Sequence, residues 1–318
     1  MTRTPCILVT GARGFLGTHI VARAQAKGCH VVASHRGASK EGTISVDVCD
    51  ATSIDAAFRA VLPPIVIHCA SYGVNYADQD PDRALAVNTH GSIAMLYAAA
   101  RHGVARFIHI GSCFEYGHHP GFISEEASLN PTAIYGATKA ATSLLMRERA
   151  HALGVDLLIA RPFGIWGPGE PAFRLIPQVI RACLNQCPLK LTPCEVVRDY
   201  SYVEDIADDV IALALEADAA SGTIVNIGSG QSVILRDFVL SVARLLDGES
   251  LMHFGELEPR PTEMRSLVAD TRRLRCLLGD RPRTALAEGV RRMALSIRIP
   301  HFAQSSSQCC PERAASFD

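Results

Sequence analysis

Short apolar segments alternate with longer segments of helical periodicity through the first half of this 318-residue chain. The apolar segments are nearly continuous in character, which is typical of strands buried on both faces of a parallel sheet. They occupy residues 7–10, 30–34, 65–69, 107–111 and 155–160, and the helical patterns occupy residues 16–26, 54–60, 83–100 and 135–151. Because crossovers between parallel strands are right-handed, this alternation predicts an α/β fold with a doubly wound parallel sheet.

A glycine-rich turn, residues 10–17, directly follows the first apolar segment. Gly11, Gly14 and Gly17 fall where the first strand turns into the first helix. Glycines at this spacing permit a tight turn, let backbone amides approach a pyrophosphate, and allow close contact between helix and strand. The turn therefore predicts a dinucleotide-binding site at this end of the sheet, with Arg13, Phe15 and Leu16 beside the cofactor.

The end of the second strand bears on which dinucleotide is bound. NAD sites usually place an acid about 20 residues past the glycines, where it accepts hydrogen bonds from a ribose. Here the strand ends in Ser34-His35-Arg36, and the next acid is Glu41. Arg36, helped by Arg13, is suited to a 2′-phosphate, so the sequence favours NADP(H), with NAD(H) as the alternative. His35 either stacks on the adenine or faces water.

The regular alternation ends after residue 163, at a loop rich in Gly and Pro. We expect residues 1–163 to form a dinucleotide-binding domain of Rossmann type, rejoined by about residues 201–227. Residues 164–200 and 228–300 are expected to form a smaller C-terminal α/β substrate domain. Residues 301–318 lack periodicity and are expected to form a disordered tail.

Charge and cysteine usage exclude several classes of protein. The chain has 31 basic and 32 acidic residues without a Lys/Arg block, which speaks against a nucleic-acid partner. An apolar strand close to the start leaves no room for a signal peptide, and no apolar run reaches membrane-spanning length. The eleven cysteines are scattered and lack metal-ligand spacing. We therefore expect a cytoplasmic protein with reduced thiols, no metal site and no membrane partner.

Three polar residues form a candidate catalytic set. Tyr135 and Lys139 lie one helical turn apart, 23 and 27 residues after Ser112, which follows the fourth predicted strand. The lysine ammonium on the same helix face is expected to lower the pKa of the phenol and to reach the nicotinamide ribose. Ser112 is expected to hydrogen-bond the reacting oxygen. This arrangement predicts proton and hydride exchange at a carbonyl or alcohol carbon.

The motifs carry a family resemblance that extends over about residues 5–295. They comprise Gly11-x-x-Gly14-Phe15-Leu16-Gly17, Asn88, Ser112-x-x-x-Tyr116-Gly117, Tyr135-x-x-x-Lys139, Arg161-Pro162 and Arg198-Asp199-Tyr200. This set resembles the extended short-chain dehydrogenases/reductases, and more closely their nucleotide-sugar epimerase/dehydratase branch. Within that branch the chain looks most like reductases of nucleotide-linked 4-keto-6-deoxyhexoses.

The resemblance implies further roles. Asp47 and Val48 would flank the adenine, and Asn88 would lie in the active-site neighbourhood. Arg198 and Arg260 would bind the pyrophosphate of a nucleotide-sugar substrate. The segment under the cofactor would comprise Cys69, Ala70 and Ser71. Family members often dimerise through a helix pair, so the resemblance also implies a possible homodimer.

Departures from the family pattern bear on the reaction. Dehydratases of the branch carry an acidic pair directly after the serine or threonine, whereas this chain has Cys113 and Phe114. Glu115 is one position later and would point the other way on an extended segment. We therefore expect no dehydratase activity. Gly164 stands where many epimerases have an asparagine, which weakens the epimerase interpretation without removing it.

The favoured function from sequence is NADPH-dependent reduction of a nucleotide-linked keto-sugar to the alcohol, with Tyr135 as proton donor. A net reductase consumes hydride and generally draws on NADPH, which suits Arg36 at the end of the second strand. The first alternative is an NAD-dependent nucleotide-sugar 4-epimerase. Two others are a reductase of a non-nucleotide ketone and a cofactor-sensing binding protein with a silenced site.

Overall fold

The computed structural model describes residues 5–37, 42–75, 77–78, 80–260 and 263–298. The expected tail, residues 301–318, and Glu41 lie outside the described residues. So do the last two residues of the expected substrate domain. All cysteines within the described residues are free thiols.

Seven parallel strands form the central sheet, which confirms the predicted fold class. Their spatial order is β3-β2-β1-β4-β5-β7-β12, so the strand order reverses between β1 and β4. The described strands, numbered in chain order, are β1 (Cys6–Thr10), β2 (His30–His35), β3 (Thr43–Ser45), β4 (Ile65–His68), β5 (Arg106–Ile110), β6 (Phe122–Ile123), β7 (Leu157–Pro162), β8 (Gly164–Trp166), β9 (Leu189–Leu191), β10 (Val197–Arg198), β11 (Tyr200–Tyr202), β12 (Thr223–Ile227), β13 (Val233–Ile234), β14 (Met252–Phe254) and β15 (Ser266–Ala269).

Helices cover both faces of the central sheet. α1, α7 and α9 contribute to the apolar core on one face, and α2, α4 and α5 contribute to the core on the other. None of the helices within the described ranges is both long and apolar enough to cross a lipid bilayer. The described α-helices are α1 (Phe15–Ala26), α2 (Ala51–Val61), α3 (Pro81–Ala84), α4 (Ser92–Arg101), α5 (Ile134–Leu153), α6 (Leu175–Asn185), α7 (Val203–Leu215), α8 (Leu235–Arg244), α9 (Arg272–Leu278) and α10 (Leu286–Arg298).

The near-continuous apolar strands are explained by burial on both sides. In β1, Ile7 and Val9 belong to the core on one face and Leu8 to the core on the other. In β5, Ile108 and Phe107 divide in the same way, and all five side chains are fully buried. Each such side chain stabilises the fold by roughly 1.5–3 kcal/mol. Because both faces of the sheet are covered, the carboxyl ends of its strands are where solvent and ligands can reach it; we call this end of the sheet its carboxyl edge.

Smaller sheets follow the break at residue 163. A four-stranded sheet has the order β13-β10-β15-β6, and two-stranded pairs join β8 to β11 and β9 to β14. β6 belongs to the four-stranded sheet although it precedes residue 163. A separate apolar core around Trp166 and Phe238 packs α6, α8 and α10 together.

Asp199 is the main polar anchor of this region. Its fully buried carboxylate accepts hydrogen bonds from the backbone N–H of Ser229 at 2.9 Å, of Gly230 at 3.0 Å and of Ala269 at 3.2 Å. The Ser229 hydroxyl donates a fourth, at 2.5 Å. One side chain thus ties the turn after β12 to the end of β15.

Candidate active site

The glycine-rich turn joins β1 to α1 in a conformation that requires glycine. Gly11 has φ of 64°, and the N–H of Gly14 donates to its carbonyl at 2.9 Å. A Cβ on Gly11 would lie 2.7 Å from the backbone nitrogen of Ala70, and one on Gly17 would lie 2.3 Å from the Gly11 carbonyl oxygen. Both distances are too short for real contacts, so the turn packs against the segment after β4 only because Gly11 lacks a side chain, and α1 packs against the turn only because Gly17 lacks one.

The first turn of α1 is open to an anion. Gly14 is the N-cap in extended backbone, no side chain caps the helix, and its first turn holds no acid. Free N–H groups at a helix N-terminus favour phosphate. Arg13 is exposed beside them, while Phe15 and Leu16 are half-buried. These residues fit the pyrophosphate of a dinucleotide.

Arg36 is exposed immediately after β2, next to the glycine-rich turn. The two segments are joined by the N–H of Ala12, which donates to the Ser34 carbonyl at 3.2 Å. His35 is buried, and its Nε2 has no hydrogen-bond partner among the described residues. The alternative in which His35 faces water is therefore wrong.

The segments assigned to the adenine and to the floor of the cofactor site lie beside the turn. The N–H of Cys69 donates to the Thr10 carbonyl at 3.2 Å, so residues 69–71 continue from β4 alongside Gly11. Asp47 accepts from the N–H of Cys49 at 2.9 Å, which uses one carboxylate oxygen to shape its own turn. Val48 is buried against Gly91.

Asn88 is fully buried in a π-helical segment, Leu85–Gly91, that connects α3 to α4. Its Oδ1 accepts from the N–H of Tyr72 at 2.8 Å, and its Nδ2 donates to the Tyr72 carbonyl at 2.9 Å and to the Thr138 hydroxyl at 3.0 Å. Asn88 therefore joins the loop after β4 to α5, one residue from Lys139.

Ser112 and Tyr135 come together at the carboxyl edge of β5. Ser112 begins a short 3-10 helix, Cys113–Glu115, and its Oγ accepts from the N–H of Phe114 at 3.2 Å. Tyr135 lies in the first turn of α5, half-buried, with its ring edge-on to that of Phe114, and it is close enough to Ser112 for this residue to oppose the burial that raises the pKa of the phenol. A Cβ on Gly136 would lie 2.4 Å from the Phe114 carbonyl oxygen, so a glycine lets α5 approach this closely.

Lys139 lies one turn further along α5 and is almost fully buried. Its Nζ donates to the carbonyl of Ile110, the last residue of β5. Burial lowers the pKa of Lys139 to about 8, partly offset by the negative charge of Glu115. The ammonium is thus held at the carboxyl edge of the sheet, directed at a strand carbonyl.

The expectation that Lys139 acidifies the Tyr135 phenol is wrong for this structure. Burial raises the pKa of Tyr135 to about 12, opposed chiefly by the hydrogen bond to Ser112 and more weakly by the charge of Arg174. Loss of hydration penalises a phenolate, while the nearest lysine is directed at the Ile110 carbonyl. The tyrosine is therefore protonated at neutral pH and poised as an acid.

Glu115 is inside the protein rather than directed away on an extended strand. It is fully buried in an ion pair, with Oε2 at 2.6 Å from Arg161 Nη2, and its Oε1 accepts from the N–H of Ser112 at 2.8 Å. The sequence analysis predicted an extended segment here. The 3-10 turn that forms instead directs the Glu115 side chain into the protein. The guanidinium of Arg161 also lies over the ring of Tyr116, 4.6 Å from its centre. Both carboxylate oxygens of Glu115 are therefore engaged, and neither is available to act as a general acid or base.

The two arginines assigned to substrate differ in placement. Arg198 is half-buried and donates to the Val197 carbonyl at 2.8 Å; burial raises the pKa of the Cys113 thiol, and the charge of Arg198 only partly offsets this rise. Burial lowers the pKa of Arg198 itself. Arg260 is exposed, and its carbonyl accepts from the N–H of Glu263 at 2.9 Å. Only Arg198 is brought near the catalytic segment by the described contacts.

Two charged residues near this set are not identified by sequence analysis as site residues. Glu170 and Arg174 follow β8 and form an ion pair of 3.7 Å, and the Glu170 side chain is only 5% exposed. Burial raises the pKa of Tyr200, at the start of β11, to about 12, and the charges of Glu170 and Arg174 are among its smaller influences. An acid inside a Gly- and Pro-rich loop is the one sequence signal that points to them.

Gly164 has a steric role. A Cβ at this position would lie 2.5 Å from the Asp199 carbonyl oxygen and 3.1 Å from the Tyr200 ring. An asparagine therefore does not fit here without movement of β11, which pairs with β8 at this residue.

Comparison with curated proteins finds relatives along most of the chain. UDP-glucose 4-epimerase of Mycolicibacterium smegmatis is 27% identical over 307 residues, covering 89% of this chain and 95% of that protein. dTDP-glucose 4,6-dehydratase of Streptomyces griseus is 28% identical over 312 residues, covering 90% and 92%. These relatives are an epimerase and a dehydratase, so they give no support to the narrower resemblance to reductases.

Solved structures give the same result. The UDP-glucose 4-epimerase of Thermus thermophilus in complex with NAD superposes with a TM-score of 0.82 at 25% identity, covering 92% of this chain and 99% of that one. MoeE5 in complex with UDP-glucose and NAD gives 0.81 at 28% identity, covering 92% and 98%. The family model "NAD dependent epimerase/dehydratase family" matches residues 7–228. This chain therefore belongs to the NAD dependent epimerase/dehydratase family, as an enzyme of the extended short-chain dehydrogenase/reductase type.

Proposed function

We propose that this protein is a nucleotide-sugar 4-epimerase that works with a tightly held nicotinamide dinucleotide. The observation that carries the proposal is that Ser112 and Tyr135 lie side by side at the carboxyl edge of β5, with Lys139 one turn further along α5. The open first turn of α1 lies at the same edge of the sheet, after β1. Relatives of similar length that share this fold are UDP-glucose 4-epimerases, one of them in complex with NAD.

In the proposed reaction Tyr135, Ser112 and Lys139 have different roles. When bound, a nicotinamide dinucleotide supplies the hydride acceptor and donor and, in its oxidised form, a positive charge. Tyr135 exchanges the proton of the sugar hydroxyl, and Ser112 orients the same oxygen through its hydroxyl. The base role requires the pKa of Tyr135 to fall from about 12, and a nearby positive charge acts in that direction. Lys139, held at the Ile110 carbonyl, contributes fixed charge and a donor for a ribose.

Water elimination is not part of the proposal. Dehydration of a hexose needs an acid and a base beside the catalytic oxygen, and Cys113 and Phe114 supply neither. Burial raises the pKa of the Cys113 thiol to about 12, so it is not a thiolate at neutral pH. Glu115 is committed to Arg161 and to the Ser112 N–H.

A second candidate is an NADPH-dependent keto-sugar reductase. The specific observation in its favour is Arg36, exposed at the end of β2 beside the glycine-rich turn, where NAD sites usually hold an acid. The steric block to a side chain at Gly164 is a second departure from the epimerase pattern.

One pair of assays separates the two functions. Purified protein is given UDP-glucose or dTDP-glucose with NAD, and the 4-epimer is measured by chromatography. In parallel, NADPH oxidation is followed with a nucleotide-linked 4-keto-6-deoxyhexose. Epimer formation without net change in NAD supports the proposal, and stoichiometric NADPH consumption supports the second candidate. Tyr135→Phe should abolish whichever activity is found, while Tyr97→Phe, on the outer surface of α4, should not. Turnover in neither assay, with the dinucleotide bound, contradicts both.

A further inference from the structure

Phe114 is a large apolar residue that is exposed beside the candidate catalytic set. It is 39% exposed, and its ring lies edge-on to that of Tyr135, with the ring centres 6.1 Å apart and the planes at 73°. Its N–H donates to the Ser112 hydroxyl oxygen at 3.2 Å. Single exposed apolar residues are common on protein surfaces and need no explanation by themselves. This one contacts one candidate catalytic residue through its ring and the other through its backbone.

The backbone that carries the Phe114 ring is held on two sides. Phe114 is the middle residue of the short 3-10 helix after β5, and a complete capping box that begins at Ser112 closes this helix. α5 packs closely against the same turn, since a Cβ on Gly136 would lie 2.4 Å from the Phe114 carbonyl oxygen. The ring is therefore kept within reach of a group that reacts at Tyr135.

A phenyl ring restricts which part of a sugar can pack against it. It offers no strong hydrogen-bonding group, so a hydroxyl pressed against it loses water without compensation. In a hexopyranose that reacts at C4, the two neighbouring carbons differ, because C3 carries a hydroxyl and C5 carries the carbon C6. The C5–C6 side is therefore the one that suits Phe114, and it is most favourable when C6 is a methyl group.

We propose that Phe114 is a specificity-determining residue that packs against C6 of the hexose and favours 6-deoxy sugars, in which C6 is a methyl group. This inference rests on the proposed function and narrows its substrate class to nucleotide-linked 6-deoxyhexoses. C6 is unchanged by epimerisation at C4, so the contact stabilises the bound substrate and the transition state alike. Its loss should therefore raise KM rather than lower kcat.

A matched pair of sugars isolates the contribution of C6. 6-Deoxyglucose and glucose differ only in the C6 hydroxyl; each is supplied linked to UDP or to dTDP, and formation of the 4-epimer by NAD-loaded protein is measured by chromatography. The parent protein should prefer the 6-deoxy sugar in kcat/KM by roughly tenfold. Phe114→Ala should raise KM for the 6-deoxy sugar by about the same factor, leave kcat nearly unchanged and remove most of the preference. Phe114→Leu, which keeps an apolar side chain, should retain it.

Phe122→Ala is the matched control, since Phe122 is an exposed phenylalanine of β6, and it should change neither KM nor kcat. Equal kcat/KM of the parent protein for both sugars, or an unchanged preference in Phe114→Ala, overturns the inference. So does an equal loss of kcat for both sugars, which would mean that Phe114 only supports Tyr135. If the parent protein converts neither sugar on either nucleotide, the proposed function itself fails. That result is distinguishable because it does not depend on the Phe114 substitution.

Discussion

Glu115 holds the backbone of Ser112 from inside the protein, accepting its N–H at 2.8 Å while ion-paired with Arg161 at 2.6 Å. The position and direction of the Ser112 hydroxyl therefore depend on a carboxylate that no substrate touches. The same carboxylate lies so close to Gly111 that a Cβ there would come within 2.5 Å of Oε1. The backbone that follows β5 therefore packs directly against the Glu115 carboxylate.

Removing one charge of this pair should be costly. Glu115→Gln keeps an oxygen for the Ser112 N–H but leaves Arg161 buried without a counter-charge, and we expect a loss of about 3 kcal/mol in the free energy of unfolding. Arg161→Met should cost a similar amount. Because each single change leaves the other charge alone, the double variant should lose clearly less than the sum. Urea denaturation of the four proteins measures this coupling, and additive losses would contradict it.

Gly11 in the glycine-rich turn can be compared with Gly28, which follows α1. Gly11 and Gly28 both have positive φ, 64° and 81°, but only at Gly11 would a Cβ meet backbone atoms. Gly11→Ala should therefore weaken dinucleotide binding by at least about tenfold, since the turn must shift away from Ala70. Gly28→Ala carries the backbone strain alone and should leave affinity unchanged. Fluorescence titration with NADH and NADPH gives both constants; equal effects would count against a steric role.

The lowered pKa of Lys139 predicts a pH dependence of stability. The folded value is about 8 against 10.5 for the free side chain, so between these values the unfolded chain binds more protons at this site. The contribution of Lys139 to stability therefore rises with pH across that window. The difference in unfolding free energy between the parent protein and Lys139→Met should shift by about 2 kcal/mol in favour of the parent from about pH 7.5 to about pH 10.

The control for this prediction is Lys190→Met, since the Lys190 side chain is 70% exposed. Its difference from the parent protein should stay nearly constant over the same pH range. If the difference in unfolding free energy between the parent protein and Lys139→Met is also independent of pH, the ammonium of Lys139 is not desolvated in the folded protein.

Arg36 should decide the preference between the two dinucleotides if the 2′-phosphate lies at the end of β2. Arg36→Ala should raise the dissociation constant for NADPH by roughly tenfold and leave that for NADH unchanged, since only NADPH carries the phosphate that a guanidinium binds. Arg13→Ala, at the pyrophosphate end, should affect both cofactors alike. An equal response of both cofactors to Arg36→Ala would remove the argument for NADP.

The central sheet could be predicted from the sequence because its strands are buried on both faces. A continuous apolar run such as that of β1, followed directly by a glycine-rich turn, is typical of a buried parallel strand that leads into a helix. β6, β10 and β13 could not be found, because a strand of two residues carries no periodicity. The sequence shows a helical pattern at residues 83–100 but not the π-helical segment Leu85–Gly91 that carries Asn88, since its wider hydrogen-bond spacing leaves no mark in the apolar pattern.

At the candidate site the decisive information is three-dimensional. Ser112-x-x-Glu115 is the sequence of a capping box, which indicates a turn rather than the extended segment expected from the strand before it. The raised pKa of Tyr135 could not be predicted, because its cause is burial against segments distant in sequence. The burial of Glu170 is hidden for the same reason: an acid in a loop is ordinarily solvated, and only the three-dimensional packing shows that this one is not.

The anchoring of Asp199 has a consequence for how such a protein can diversify. The residue stands between Arg198 and Tyr200, and its carboxylate accepts three backbone N–H groups from two other segments of the chain. These hydrogen bonds are all made by the Asp199 carboxylate, so the two flanking side chains can be exchanged without removing any of them. The sequence on either side of Asp199 can therefore vary while the connection between the turn after β12 and the end of β15 is kept.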